Sequence, residues 1–148
     1  MRRVILFSAA ILAMAGPMQA ANRFYCAASD DNIKLTIDTG FADAPGHRLN
    51  HFRGAMVTKA ADVPVDFKTL MLDSSQLAQN WSYEGDLRLD ISARGQGEDG
   101  DKSFELVLMA SGKDETAPMV GTYALTFDVS PNVSAPLQYK GRLTCNAK

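Results

Sequence analysis

The strongest constraint on the fold is an alternation of side chains between residues 87 and 110. Leu87, Leu89, Ile91 and Ala93 share one parity, and Arg88, Asp90, Ser92 and Arg94 share the other. After a Gly-rich acidic loop, Gly95 to Asp101, the residues Phe104, Leu106, Leu108 and Ala110 repeat the pattern. Successive side chains of an extended chain point to opposite faces, so a period of two marks a strand with one face in a core. The opposite face of the second segment carries Val107 and Met109, which predicts a strand that is central or covered on both sides. Together the two segments predict an antiparallel hairpin.

The same period recurs along the chain. Arg23 to Ala28 reads as a first strand, and Ile33, Leu35 and Ile37 alternate with Lys34, Thr36 and Asp38 in a second. His47 to Lys59 is a long alternating stretch in which Gly54 predicts a bulge or bend. Phe67 to Leu72 reads as a strand, and Trp81 and Tyr83 share a face leading to a turn at Glu84-Gly85. Gly121, Tyr123, Leu125, Phe127 and Val129 line one face of a further strand, and Leu137 to Cys145 forms the last. Turn chemistry separates them: Asp30-Asp31-Asn32, the loop Gly40 to Gly46 from which Phe41 plugs back onto the core, Ala61 to Asp66, Ser111 to Pro118 and Ser130 to Pro136. Asp73-Ser74-Ser75 starts either one helical turn or a tight loop. The expected fold is all-β, an antiparallel barrel or sandwich of about eight strands.

The first residues read as a secretory signal. Arg2 and Arg3 precede an apolar run, Val4 to Ala15, too short to span a bilayer. Gly16-Pro17 breaks the run, and Met18-Gln19-Ala20 places a small residue before a cut. The expected division is a signal peptide over 1–20 and one exported β domain over 21–148, an uncleaved anchor being the alternative. The short arginine-led signal looks bacterial, so the expected location is the periplasm or the medium. No cysteine follows the cut directly, so no lipoprotein is expected. Cys26 and Cys145 are the only cysteines. Both fall on inward parities of terminal strands, and in an oxidising compartment they are expected to form one disulfide that closes the barrel or sandwich. Without a Cys-x-x-Cys spacing, a redox or metal role is the lesser alternative.

Charge bounds the partners. The 148 residues carry 15 basic and 17 acidic side chains. A mildly acidic domain is a poor match for nucleic acid or an anionic membrane surface. No later stretch is long and apolar enough for a transmembrane segment once the signal is removed.

Motifs for chemistry are incomplete. Gly95-Gln96-Gly97-Glu98-Asp99-Gly100 has the letters of a dinucleotide fingerprint, but a strand follows it instead of a helix, and its acids would repel phosphate. Glu98, Asp99, Asp101 and Glu105 lack the spacing of an EF-hand. His47 and His51 on one strand would stand about 13 Å apart, too far for one metal. Asp86 and Asp90 flank Arg88 as an ion-paired face. No Gly-x-Ser-x-Gly or Ser-x-x-Lys occurs. Neither cofactor nor metal is expected. Asn80-Trp81-Ser82 and Asn132-Val133-Ser134 are sequons of consequence only in a eukaryotic source.

The expectation is a non-enzymatic exported protein that binds a protein or a cell-envelope component. Trp81 and Tyr83, with Tyr25 or Tyr139 near them, are candidates for an aromatic recognition patch, and His51 and Arg53 for a polar one. Ala110-Ser111-Gly112-Lys113 resembles the Ser-Gly loop of bacterial periplasmic lysozyme inhibitors, small β domains that insert this loop into the enzyme cleft. The resemblance covers a few residues, lacks the Tyr that follows in that family, and implies a hydrolase inhibitor with Ser111 and Lys113 in contact. The competing expectation is a carrier holding a small apolar ligand or lipid in the barrel interior.

Overall fold

The computed structural model describes residues 22–41, 49–95, 102–114, 117–129 and 135–147. The expected signal peptide, His47, the acids Glu98, Asp99 and Asp101, and the second sequon lie outside them. Among the described residues nine strands are formed: β1 (Asn22–Ser29), β2 (Ile33–Phe41), β3 (Leu49–Thr58), β4 (Thr69–Asp73), β5 (Leu77–Tyr83), β6 (Asp86–Arg94), β7 (Ser103–Ser111), β8 (Met119–Asp128) and β9 (Leu137–Ala147). They form one sheet in the order β4-β3-β2-β1-β9-β8-β7-β6-β5, a nearly closed antiparallel barrel. No helix among the described residues is long and apolar enough to cross a membrane.

The strand order contains a parity problem, and its solution defines the architecture. Every neighbouring pair in the sheet is antiparallel. Eight reversals separate β4 from β5 around the ring, so these two strands run in the same direction. They are also consecutive in the chain, three residues apart. They are therefore two halves of one broken stave. β4 pairs with β3 over Arg53–Val57, and β5 pairs with β6 over Asp86–Ile91. The barrel is thus an eight-stave, up-and-down closure with a seam in one stave. At the break, Gln76 N–H turns back to the Asp73 carbonyl at 3.2 Å, and Asp73 N–H meets Gln76 Oε1 at 2.9 Å. The expected turn at Asp73-Ser74-Ser75 is present, but it offsets the strand without reversing it.

Inward parities fill the barrel. Ile33, Leu35, Ile37, Met56, Leu89 and Leu125 expose 0 % of their surface. A void wide enough for one water would leave accessible area on its lining, so these side chains pack on one another. Each fully buried aliphatic or aromatic side chain contributes about 1.5–3 kcal/mol. Phe41 ends β2 and meets Phe24 edge-on at 6.2 Å, closing the lower mouth. The upper mouth is closed by residues 59–68. There Phe67 sits in a single 3-10 turn, Val65–Phe67, and not in the strand expected to begin at it. Its ring lies 5.7 Å from Phe104 and 5.6 Å from Phe127. Thr58 Oγ1 donates to the Phe67 carbonyl at 3.1 Å, holding the turn down.

Cys26 and Cys145 are directly opposed on β1 and β9 and form the expected disulfide. The β1–β9 ladder is short, from Phe24 to Ala27, so the cross-link lies within the closure of the ring. Gly54 does not mark a bulge: the β2–β3 register runs unbroken through it, and the irregularity falls at Gly40/Phe41. Gly54 is needed because a Cβ there would stand 2.8 Å from the Thr36 carbonyl oxygen and 2.5 Å from Ile37 Cδ1.

Candidate functional site

The candidate site follows from the outward parities of β5 to β8. Register places Trp81, Arg88, Met109, Thr122 and Arg142 in one row across five strands. The next row down holds Tyr83, Asp86, Ser111, Val120 and Thr144. Four large apolar side chains stand out from these rows: Trp81 is 51 % exposed, Tyr83 51 %, Met109 50 % and Val120 68 %. The Trp81 and Tyr83 rings lie 6.4 Å apart and tilted by 38°. These four stand on one face, with Arg88 between Trp81 and Met109 and with Asp86 and Ser111 between Tyr83 and Val120.

The lower edge of this wall is stitched by two turns. Glu84 and Gly85 adopt φ of 46° and 87°, the two left-handed positions of a type I′ hairpin turn. Gly85 is required for φ and for space, since a Cβ would meet Gly112 O and Asp114 C at 3.0 Å. The Gly85 carbonyl accepts the Gly112 amide at 2.8 Å, tying the Ser111-Gly112-Lys113 segment to the β5–β6 turn. Ser111 and Lys113 are exposed there. Hydrogen bonding to Glu84, then its charge, raises the Tyr83 hydroxyl above its usual range.

The structure brings together Trp81, Tyr83 and Ser111, with Lys113 adjoining. It does not bring Tyr25 or Tyr139 to them. Tyr25 stands on β1, opposite Asp38 of β2. Tyr139 packs on Phe127 at the other mouth, 6.2 Å between rings, and donates to Asp62 at 2.6 Å. Met109 and Val120 escaped the sequence reading. β7 lies between β6 and β8, as a central strand must, but its outer face is not covered, so Met109 is displayed.

His51 and Arg53 form part of a second cluster on the outer face of β1 to β3. Asp38 is only 9 % exposed although its parity points outward. Arg23 Nη2 donates to its two oxygens at 3.2 and 3.0 Å, and Arg53 Nη2 to one at 3.4 Å. His51 Nε2 lies 3.9 Å from the same carboxylate, and among the described residues it has no hydrogen-bond partner. Both guanidiniums are substantially exposed, so screening keeps this cluster weak. Its chemistry is ion pairing between neighbouring strands.

A third polar group was invisible in sequence. Asp30 Oδ1 accepts the Asn32 and Ile33 amides at 2.8 and 3.0 Å, while Oδ2 accepts the Tyr123 hydroxyl at 2.7 Å from 93 residues away. Gly141 makes this contact possible, since a Cβ there would stand 2.2 Å from Asp30 Oδ2 and 2.4 Å from the Tyr123 ring. Partial burial pushes the Asp30 carboxyl up, but the hydrogen bonds from Tyr123, Ile33 and Asn32 outweigh it and leave it below 3.8. Burial, then the bond to Asp30, raises Tyr123 well above 10. This is a latch between the β1–β2 turn and β8. Among the described residues no group of three or more His, Cys, Asp or Glu side chains is placed to hold a metal ion.

No protein-family model, curated protein or solved structure matches this chain.

Proposed function

We propose that the chain is a non-catalytic binding protein, exported to the periplasm, that engages a partner protein through the outer wall of β5 to β8. The observation that carries this reading is the pair of register rows displaying Trp81, Tyr83, Met109 and Val120 at half exposure or more. Trp, Tyr, Met and Arg are the residue types enriched where interfaces bind most strongly. The wall is preorganised: a packed core stands behind it, the Glu84-Gly85 turn fixes its lower edge, and a disulfide closes the ring. Little ordering is left to oppose binding. The signal-like leader and the disulfide support export into an oxidising compartment.

The sharper version is inhibition of a lysozyme-type hydrolase, with Ser111 and Lys113 as contacts beside the aromatic pair. Lysozyme turnover measured in a stoichiometric excess of the mature chain tests it. Slowed turnover that recovers with Ser111→Ala or Lys113→Ala supports this version. Unchanged turnover removes it and leaves the wall to a different protein partner.

A further inference from the structure

The seam in the broken stave leaves a second binding feature, independent of the wall. β5 covers one edge of β6 from Asp86 up to Ile91, and the last contact beyond it is Ser92 N–H to the Gln76 carbonyl at 2.7 Å. Gln76 N–H does not complete that pair because it is committed to Asp73. Above this level, among the described residues, no strand pairs with β6 on that side. Main-chain groups of alternate residues point to the same side of an antiparallel ladder. Gly95 N–H goes to the Lys102 carbonyl at 2.7 Å, so residues 93 and 95 face β7, whereas Ser92 and Arg94 turn their main-chain groups to the seam. Across the seam, the Lys68 carbonyl accepts Thr58 N–H at 2.8 Å. By the same alternation Thr69 and Met71 turn theirs away from β3. Two strand edges thus face one another across an opening.

The opening is a cleft of about 610 Å3. It is lined by the partly exposed Leu70 and Ala93, which lie over the buried Phe67 and Phe104, and by the exposed Asp66 and Arg94. Ala93 is the smallest of the inward residues of β6, so the wall of the cleft is low at this point. Arg94 points outward and is exposed.

We propose that this cleft takes an extended segment of a partner polypeptide, added as a strand to β6 in line with β5. The added strand bonds to the Arg94 main chain. Its residue opposite Ala93 points inward and seats an apolar side chain on Leu70 and Ala93. The next residue, opposite Arg94, points outward and is acidic, because a directly opposed cross-strand charge pair is favourable. Main-chain bonds supply affinity and the alternate pocket supplies selectivity, the usual logic of strand addition.

The test uses the mature chain and a blocked pentapeptide, acetyl-Thr-Phe-Glu-Phe-Thr-amide, followed by amide NMR. Binding is expected to move the resonances of Ser92 to Gly95 and of Thr69 to Met71, and to slow hydrogen exchange at Arg94. Arg94→Pro removes the seam-facing N–H together with the guanidinium and leaves the Gly95–Lys102 bond to β7, and it is expected to weaken binding at least tenfold more than Arg94→Ala, which removes the guanidinium alone. Ala93→Leu, which fills the cleft, is expected to do the same and guards against misfolding of the proline variant. Peptide binding no weaker with Arg94→Pro than with Arg94→Ala would overturn strand addition and leave a side-chain pocket only. No resonance change at millimolar peptide would overturn the site itself. Neither result bears on the Trp81 wall, which lies on the opposite half of the stave.

Discussion

Replacing the disulfide by Cys26→Ala/Cys145→Ala should cost about 5 kcal/mol of folding free energy. The cysteines are 119 residues apart, and in the chain-entropy model a loop of that length removes about 16 cal/mol/K from the unfolded ensemble, or roughly 5 kcal/mol at 25 °C. The structure says why the native barrel depends on this. β1 and β9 pair over only four residue pairs. At about 1 kcal/mol net per main-chain bond, that ladder is worth no more than the cross-link inside it. Domains of this kind have about 5–15 kcal/mol in total, so the variant should be marginal or unfolded. Urea denaturation of the oxidised and the doubly substituted protein, followed by far-UV circular dichroism, measures the difference. A loss below about 2 kcal/mol would refute the loop-closure reasoning and mean that the unfolded chain already keeps its ends together.

Further outcomes follow from the same contacts. Phe67→Ala should lose about 3–5 kcal/mol by opening the upper mouth over Phe104 and Phe127, and a loss under 1 kcal/mol in urea would show that residues 59–68 are not a cap. Asp30→Ala removes the acceptor of two amides and of the Tyr123 hydroxyl, so it should lose about 2–3 kcal/mol, with Asp30→Asn keeping part. Burial and the bond to Asp62 push Tyr139 up to about 12, and Tyr123 is raised too. A raised folded-state value means the contribution is fully present below pH 10 and is lost as pH rises through the folded value. Melting temperatures should therefore fall between pH 10 and 12, and less steeply in Tyr139→Phe. All four tyrosines ionising together near pH 10 by absorbance would contradict this.

What sequence made legible was whatever depends on neighbours in the chain. The parity of Leu87, Leu89 and Ile91 is local, and so is the shared face of Trp81 and Tyr83. The inward placement of Cys26 and Cys145 followed from the same counting. The break between β4 and β5 was not legible, because Asp73-Ser74-Ser75 specifies a turn but not which neighbour the chain pairs with afterwards. That choice is made by β3 on one side and β6 on the other, and a bulge at Leu77/Gln79 resets the register as well. Long-range register likewise decides that Met109 and Val120 join Trp81 and Tyr83. Val107 and Met109 predicted a strand central or covered on both sides, and β7 is central; sequence does not say whether its apolar outer face is covered. The Asp30–Tyr123 latch was hidden because Tyr123 has the parity of a core residue and Gly141 looks like any strand glycine.

Trp81 is the sole tryptophan, so 5-fluorotryptophan labelling gives a single 19F resonance on the proposed wall. Titrating the labelled mature chain with an extract of its own cell envelope tests the central claim directly. The expected result is a shifted or broadened resonance that returns when excess unlabelled protein is added and does not return with excess Trp81→Ala/Tyr83→Ala. A resonance indifferent to the extract, or one restored equally by the double variant, would contradict the assignment of the wall as the binding surface.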